Sequence, residues 1–174
     1  MIVPLSIFGN KVSMYQVNAD ISLIQNTLYL KYIISGNISS IKLLPTKQSN
    51  DLWKNTCFEL FLSNKNISEY LEFNWSPNGQ CNTYKFNDYR EKANQDIYER
   101  SDFIVKKENN NIIFESKILL NKYNPYIYLD INNLLMGMSV IIETNTLDYW
   151  SNQHLHNRPD FHNKNSYLTL HQNS

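Results

Sequence analysis

The segment from Leu52 to Arg90, LWKNTCFELFLSNKNISEYLEFNWSPNGQCNTYKFNDYR, constrains the fold more than any other part of the chain. From Cys57 to Leu62 the residues alternate, with Phe58, Leu60 and Leu62 on one side and Cys57, Glu59 and Phe61 on the other. This is the period-two pattern of a half-buried strand. Tyr70 to Ser76 repeats it, placing Leu71, Phe73 and Trp75 against Tyr70, Glu72, Asn74 and Ser76. Paired strands must aim their apolar sets at one core, which sets the register. Leu62 then falls opposite Leu71, Leu60 opposite Phe73 and Phe58 opposite Trp75. Glu59 faces Asn74 and Phe61 faces Glu72, so the two glutamates lie diagonally on the polar face, about 7 Å apart. Asn78-Gly79 is a strong hairpin signal leading to a third strand. As a two-residue loop it sets Phe73 opposite Tyr84, Leu71 opposite Phe86, Asn74 opposite Thr83 and Glu72 opposite Lys85, an ion pair. Cys57 and Cys81 would then flank Ser76 at about 9.6 Å, too far apart for a disulfide. The expected product is a sheet with one dry face and one polar face.

Short strand candidates recur along the rest of the chain. They are Thr27–Gly36, Lys42–Leu44, Phe114–Ile118, Met138–Thr144, and a hairpin joining 103–105 to 112–114 through Asn109–Asn111. Ser116 to Tyr123 suits one helical turn, and Asp88 to Glu99 a loop or short surface helix. No stretch argues for a long helix, and no internal repeat is visible. Many short strands with regular turn signals predict an all-β antiparallel sandwich or jelly roll. A chain of 174 residues, 42% of them hydrophobic, fills one substantial core and too little for two, so a single domain over 1–174 is expected.

Charge excludes some partners. Sixteen Lys and Arg balance sixteen Asp and Glu with no basic cluster, so neither nucleic acid nor an anionic membrane finds an electrostatic footprint. The N-terminus MIVPLSIFGNKVSMYQ lacks a signal peptide's basic start, apolar core and cleavage site, and no window of about 18 apolar residues occurs. A soluble, unexported, cytoplasmic protein with reduced cysteines is expected.

Glu59, Glu72, Asn74 and Lys85 on the polar face, with Arg90 nearby, supply donors and acceptors for hydroxyl groups, and Trp53 and Tyr89 could stack on a ring. Sugars offer both features, apolar C–H faces and rims of hydroxyls. The stretches LWKNTCFELFL, YLEFNWSPNG and YKFNDYR, with RPDFH near the C-terminus, resemble the DOMON-like proteins related to family 9 carbohydrate-binding modules. The resemblance covers most of the chain and is strongest over 52–90 and 150–170. It implies a jelly-roll-like β-sandwich, a sugar site without catalytic residues and without a cofactor, and, in related DOMON domains, haem binding. By position it nominates Trp53, Glu59, Glu72, Asn74, Arg90 and Asp160, to which the register adds Lys85. The ligand is then a small sugar or a glycoconjugate.

Other readings rest on other residues. His154, His156 and His162 with Asp160 suggest a metal by residue type. Pro159 breaks any strand there and the spacing matches no closed zinc motif, so internal hydrogen bonding suits His162 better, and a turn cap or an Arg90 pair suits Asp160. Glu59 and Glu72 fall near a glycosidase acid/base spacing, but Lys85 beside Glu72 would hold its pKa down. Cys57, mid-strand, suits packing better than nucleophilic attack. Haem ligation would need Met136 or Met138 with a histidine. An exposed aromatic edge at Tyr123–Tyr128 would make protein contacts, including a homodimer.

Overall fold

The computed structural model describes residues 1–9, 11–44 and 51–170. Twelve strands follow in chain order: β1 (Ile2–Ile7), β2 (Tyr15–Ile24), β3 (Thr27–Gly36), β4 (Cys57–Asn64), β5 (Tyr70–Trp75), β6 (Cys81–Asp88), β7 (Glu91–Lys92), β8 (Asp102–Glu108), β9 (Asn111–Leu119), β10 (Leu134–Glu143), β11 (Leu147–Ser151) and β12 (Leu168–Thr169). Every pairing is antiparallel, in the order β7-β6-β5-β4-β10-β11-β1-β2-β3-β9-β8, with β12 added beside β10. β1 changes partner along its length. Ile2 to Leu5 pair with β2, whereas Ser6 and Ile7 pair with β11, so this strand is the corner at which one sheet passes into the other. The result is the expected antiparallel β-sandwich. Among the described residues no helix is long and apolar enough to cross a membrane.

Alternation builds the core between the sheets. Val17, Ala19, Ile21, Leu30, Tyr32, Ile34, Ile112 and Phe114 point inward from one sheet, and Phe58, Leu60, Leu62, Leu71, Phe73, Trp75, Met138 and Val140 from the other. Phe58 lies at the centre, its ring 4.7 Å from Phe114 and 5.8 Å from Tyr32. The Tyr32 hydroxyl, buried here, donates to the Glu59 carbonyl at 2.5 Å, so a polar atom in the core is satisfied. Met136 and Met138 face this core, which removes them as haem ligands.

The β4–β5 register matches expectation pair for pair, from Phe58–Trp75 through Leu62–Leu71, with Glu59 opposite Asn74 and Phe61 opposite Glu72. The β5–β6 register differs by one residue: Phe73 faces Thr83, Glu72 faces Tyr84 and Leu71 faces Lys85. Pro77 is the cause. A two-residue Asn78-Gly79 loop would close on a Pro77 N–H, which proline lacks. Instead Ser76 N–H donates to the Gln80 carbonyl and Gly79, at φ +92°, completes a three-residue loop. A slip of one residue exchanges faces. Lys85 therefore leaves the glutamate face and pairs with Glu69 at 2.8 Å, and Cys81 falls opposite Trp75. Both cysteines are free.

Other expectations fare variously. β3 spans Thr27–Gly36 as expected, and β8–β9 turn at Asn109 (φ +52°). Lys42–Leu44 forms no strand, although Lys42 N–H reaches the Glu143 carbonyl. The region 88–99 is mostly loop, one of the two forms expected, with the short β7 at Glu91–Lys92 and no helix. Tyr123 to Tyr128 is not an exposed aromatic edge: Tyr123 and Ile127 are buried, Tyr123 edge-on to Phe73, and Tyr128 alone of the three is exposed, at 73%.

Gly137 marks how closely the C-terminal segment approaches β10. A Cβ there would lie 2.5 Å from the Tyr167 ring. Tyr167 is buried and its hydroxyl donates to the Phe161 carbonyl, so the ring has little room to yield. Gly137→Ala is expected to destabilise by about 1–3 kcal/mol in urea unfolding; an unchanged midpoint would mean that Tyr167 moves aside at no cost.

Candidate functional site

The face of β4 and β5 turned away from the main core is not an open polar surface. Every residue of both strands is buried. Cys57, Phe61, Tyr70 and Phe86 on that face form a second apolar cluster with Phe161 and Tyr167 of the C-terminal segment. This covering leaves a pocket of about 540 Å³, within the size range of small-molecule sites.

Glu59 and Glu72 lie on the same face, as expected, and both line the pocket floor. They are 2% and 6% exposed. Ser139 Oγ donates to Glu59 Oε2 at 2.7 Å, and Asn74 Nδ2 to Glu72 Oε1 at 2.7 Å. Among the described residues neither carboxylate has a Lys or Arg within ion-pair distance; His162 Nε2 lies 4.0 Å from Glu72 Oε2, on an imidazole that is neutral. Burial, reinforced by the Glu72 charge, pushes the Glu59 carboxyl up to about 8 against the pull of Ser139. Burial also raises Glu72 to about 7, opposed by the Asn74 hydrogen bond and by the charges of Arg90 and Lys92. The pair thus holds protons near neutrality and can both donate and accept hydrogen bonds. Cys57, buried beside them, has its thiol pushed up by the same burial and remains an unreactive packing residue.

One wall is built from the RPDFH stretch. Asp160 Oδ1 accepts from Arg90 Nη2 at 3.0 Å and from His162 N–H at 3.2 Å, while Oδ2 accepts from the Tyr89 hydroxyl at 2.7 Å. Burial would raise the Asp160 pKa, but these three donors and the Arg90 charge outweigh it and hold the carboxyl low. Arg90 occupies the left-handed region, φ +57°, in the turn between β6 and β7. That conformation is uncommon for a side chain of this kind. The contacts that hold it are the Asp160 pair and its own N–H, which donates to the Tyr70 hydroxyl at 3.0 Å. With that oxygen occupied as an acceptor, the Tyr70 proton is assigned to His162 Nδ1, 2.8 Å away, leaving the imidazole neutral with its hydrogen on Nε2. Burial and the Arg90 charge drop the His162 pKa to about 4, against Asp160.

The nominated residues therefore divide by position. Trp53, Glu59, Glu72 and Arg90 line the pocket, Trp53 from a 3-10 turn at Leu52–Lys54 and 43% exposed. Asn74 and Asp160 stand behind it, holding Glu72 and Arg90. Lys85 lies on the opposite face, and Tyr89 supports Asp160. The histidines do not converge: His154 Nε2 meets the Ser6 carbonyl, His156 meets Asn163, and His162 meets Tyr70. Among the described residues no group of three metal-ligating side chains is present. Tyr84, Lys92, Tyr149 and Arg158 also line the pocket and were not nominated. Tyr84 was legible in principle, since Pro77 forbids the loop that sends it to the core.

Together these features define an antiparallel β-sandwich with a roofed, acid-floored pocket on one sheet's outer face. In fold the chain is similar to a crystal structure of a protein from Bacteroides uniformis, provisionally described as carbohydrate-binding. The identity is 14% and the TM-score 0.71, over 96% of this chain and 84% of that one. No family model matches the chain, and no curated protein matches it in sequence.

Proposed function

We propose that this chain is a non-catalytic module that binds a sugar or sugar-containing ligand in the pocket above Glu59 and Glu72. The observation that carries this reading is the juxtaposition in one cavity of two buried carboxyls able to donate and accept, the Arg90 guanidinium, and the aromatic rings of Trp53, Tyr84 and Tyr149. Hydroxyl groups suit the floor, and a C–H face suits the rings. The Bacteroides uniformis description and the resemblance to DOMON-like and family 9 modules favour the same ligand class. Calorimetric titration with mono- and oligosaccharides tests it. Glu72→Ala should weaken binding by about 1–3 kcal/mol while leaving the far-ultraviolet spectrum intact; unchanged affinity would remove this pocket as the site.

The raised carboxyls favour a second reading, in which the pair cleaves a glycosidic bond as acid and base. The expected obstacle to it, a Lys85 ion pair on Glu72, is absent because Lys85 is elsewhere. Turnover of aryl glycosides that disappears in both Glu59→Gln and Glu72→Gln would establish hydrolysis in place of simple binding.

A further inference from the structure

The pocket is layered by charge. Its floor is Glu59 and Glu72, and its mouth carries Arg90, Lys92 and Arg158, with Asp51 the one further acid among its lining residues. Asp51 has Lys54 at 2.7 Å. Arg90 is partnered by Asp160 behind it. Lys92 and Arg158 have no carboxylate within ion-pair distance among the described residues, and the Lys92 ammonium sits 4.0 Å from the centre of the Tyr84 ring. The ring attracts the ammonium through its quadrupole and carries no net charge, so the positive charge is not neutralised. A solvated lysine and arginine on a convex surface would mean little, but here both border a concave site with apolar walls from Phe61, Phe86 and Phe161, where fields are focused. Three basic side chains at the entrance outnumber the charge of a floor whose carboxyls are raised to about 8 and about 7, so the cavity presents an excess of positive charge there and hydrogen-bonding groups at its base.

We propose that the ligand is an acidic saccharide, a sugar bearing a carboxylate or a phosphate. Its hydroxyls reach Glu59 and Glu72, and its anionic group is held at the mouth by Lys92 and Arg158. This rests on the sugar-binding reading above and adds the chemical class of the ligand. Arg158 offers a planar fork suited to either oxyanion, and Lys92 a point charge.

The test is calorimetry on the full chain at pH 7 and low salt with matched ligands: glucose against glucuronic acid and glucose 6-phosphate, galactose against galacturonic acid, plus glucosamine and inorganic phosphate alone. The acidic member of a pair is expected to bind about tenfold more tightly, the scale of two exposed ion pairs. Glucuronate against the sugar phosphate decides which anion is preferred. The preference should collapse in Lys92→Ala/Arg158→Ala and at high salt, so that the acidic and neutral members of each pair bind alike. Equal affinity for neutral and acidic members, or a preference for glucosamine, overturns the acidic-ligand inference and leaves sugar binding standing. Phosphate alone binding as tightly as the sugar phosphate overturns the acidic-saccharide inference, and no binding by any sugar overturns both.

Discussion

Between pH 6.5 and 8.5 the wild-type protein is expected to lose thermal stability, and Glu59→Gln is expected to lose much less. Glu59 in the folded chain titrates at about 8, against 4.5 for an unperturbed carboxyl. A carboxyl whose folded pKa is raised binds its proton more tightly when folded. Its contribution is therefore fully present below about pH 4.5 and is lost as the pH rises through about 8. Glu72, raised to about 7, has the same sign and is exhausted sooner. His162 acts in the opposite direction: its pKa is depressed to about 4, so stability is lost as the pH falls below about 6.5, and above that it is silent. The window above pH 6.5 thus isolates the carboxyls. Across it Glu59 alone accounts for about 2 kcal/mol. For a chain of this length that corresponds to a fall in Tm of about 4–8 °C, which a pH series of thermal scans resolves. Glutamine keeps the shape and the Ser139 hydrogen bond but cannot ionise. Parallel profiles for the two proteins would mean that the Glu59 carboxyl is not held in its neutral form.

Asp160→Ala is expected to destabilise the fold by about 3 kcal/mol and to weaken ligand binding as well. One side chain joins two segments that the sequence separates widely, accepting from Tyr89 and Arg90 of the β6–β7 turn and from the His162 backbone beside it. Hydrogen bonds to a charged acceptor contribute about 1.5–3 kcal/mol each, and water recovers part of that loss at the half-exposed Arg90. The His162 N–H has less access to replacement. Without Asp160, Arg90 loses the partner that aims it into the pocket and holds its left-handed turn. Asp160→Asn separates the contributions, since its amide oxygen can still accept from the neutral donors while the ion pair is gone. Urea unfolding should place it between the parent and the alanine variant. Wild-type stability in Asp160→Ala would mean that the C-terminal wall is held by its apolar contacts alone.

Much of the central sheet was legible because its physics is local. Phe58, Leu60 and Leu62 against Leu71, Phe73 and Trp75 can meet one core in one register, and that register forms. The same alternation places Glu59 and Glu72 on one face. The third strand failed over one residue, Pro77, whose missing N–H outweighs the hairpin preference of Asn78-Gly79. That slip moved Lys85 away and brought Tyr84 in, and it reversed the expected electrostatics of Glu72. The face was expected to be polar and open, yet Cys57, Phe61 and Tyr70 already stood on it in the sequence, three groups that call for a cover.

The sequence by itself determined the β4–β5 register, the β-sandwich and the shared face of the two glutamates, because alternation acts between near neighbours; β1, β2 and β11 were not expected from it. Only the tertiary structure decided that this face is dry, that Asp160 and Asn74 position rather than line, and that Lys92 and Arg158 stand at the pocket mouth. Those facts depend on Phe161 and Tyr167 returning across β4 and β10 from about a hundred residues away in the case of β4, with Gly137 leaving room for the Tyr167 ring. Burial and charge proximity are properties of that long-range packing, and the protonation of the floor follows from them rather than from any motif.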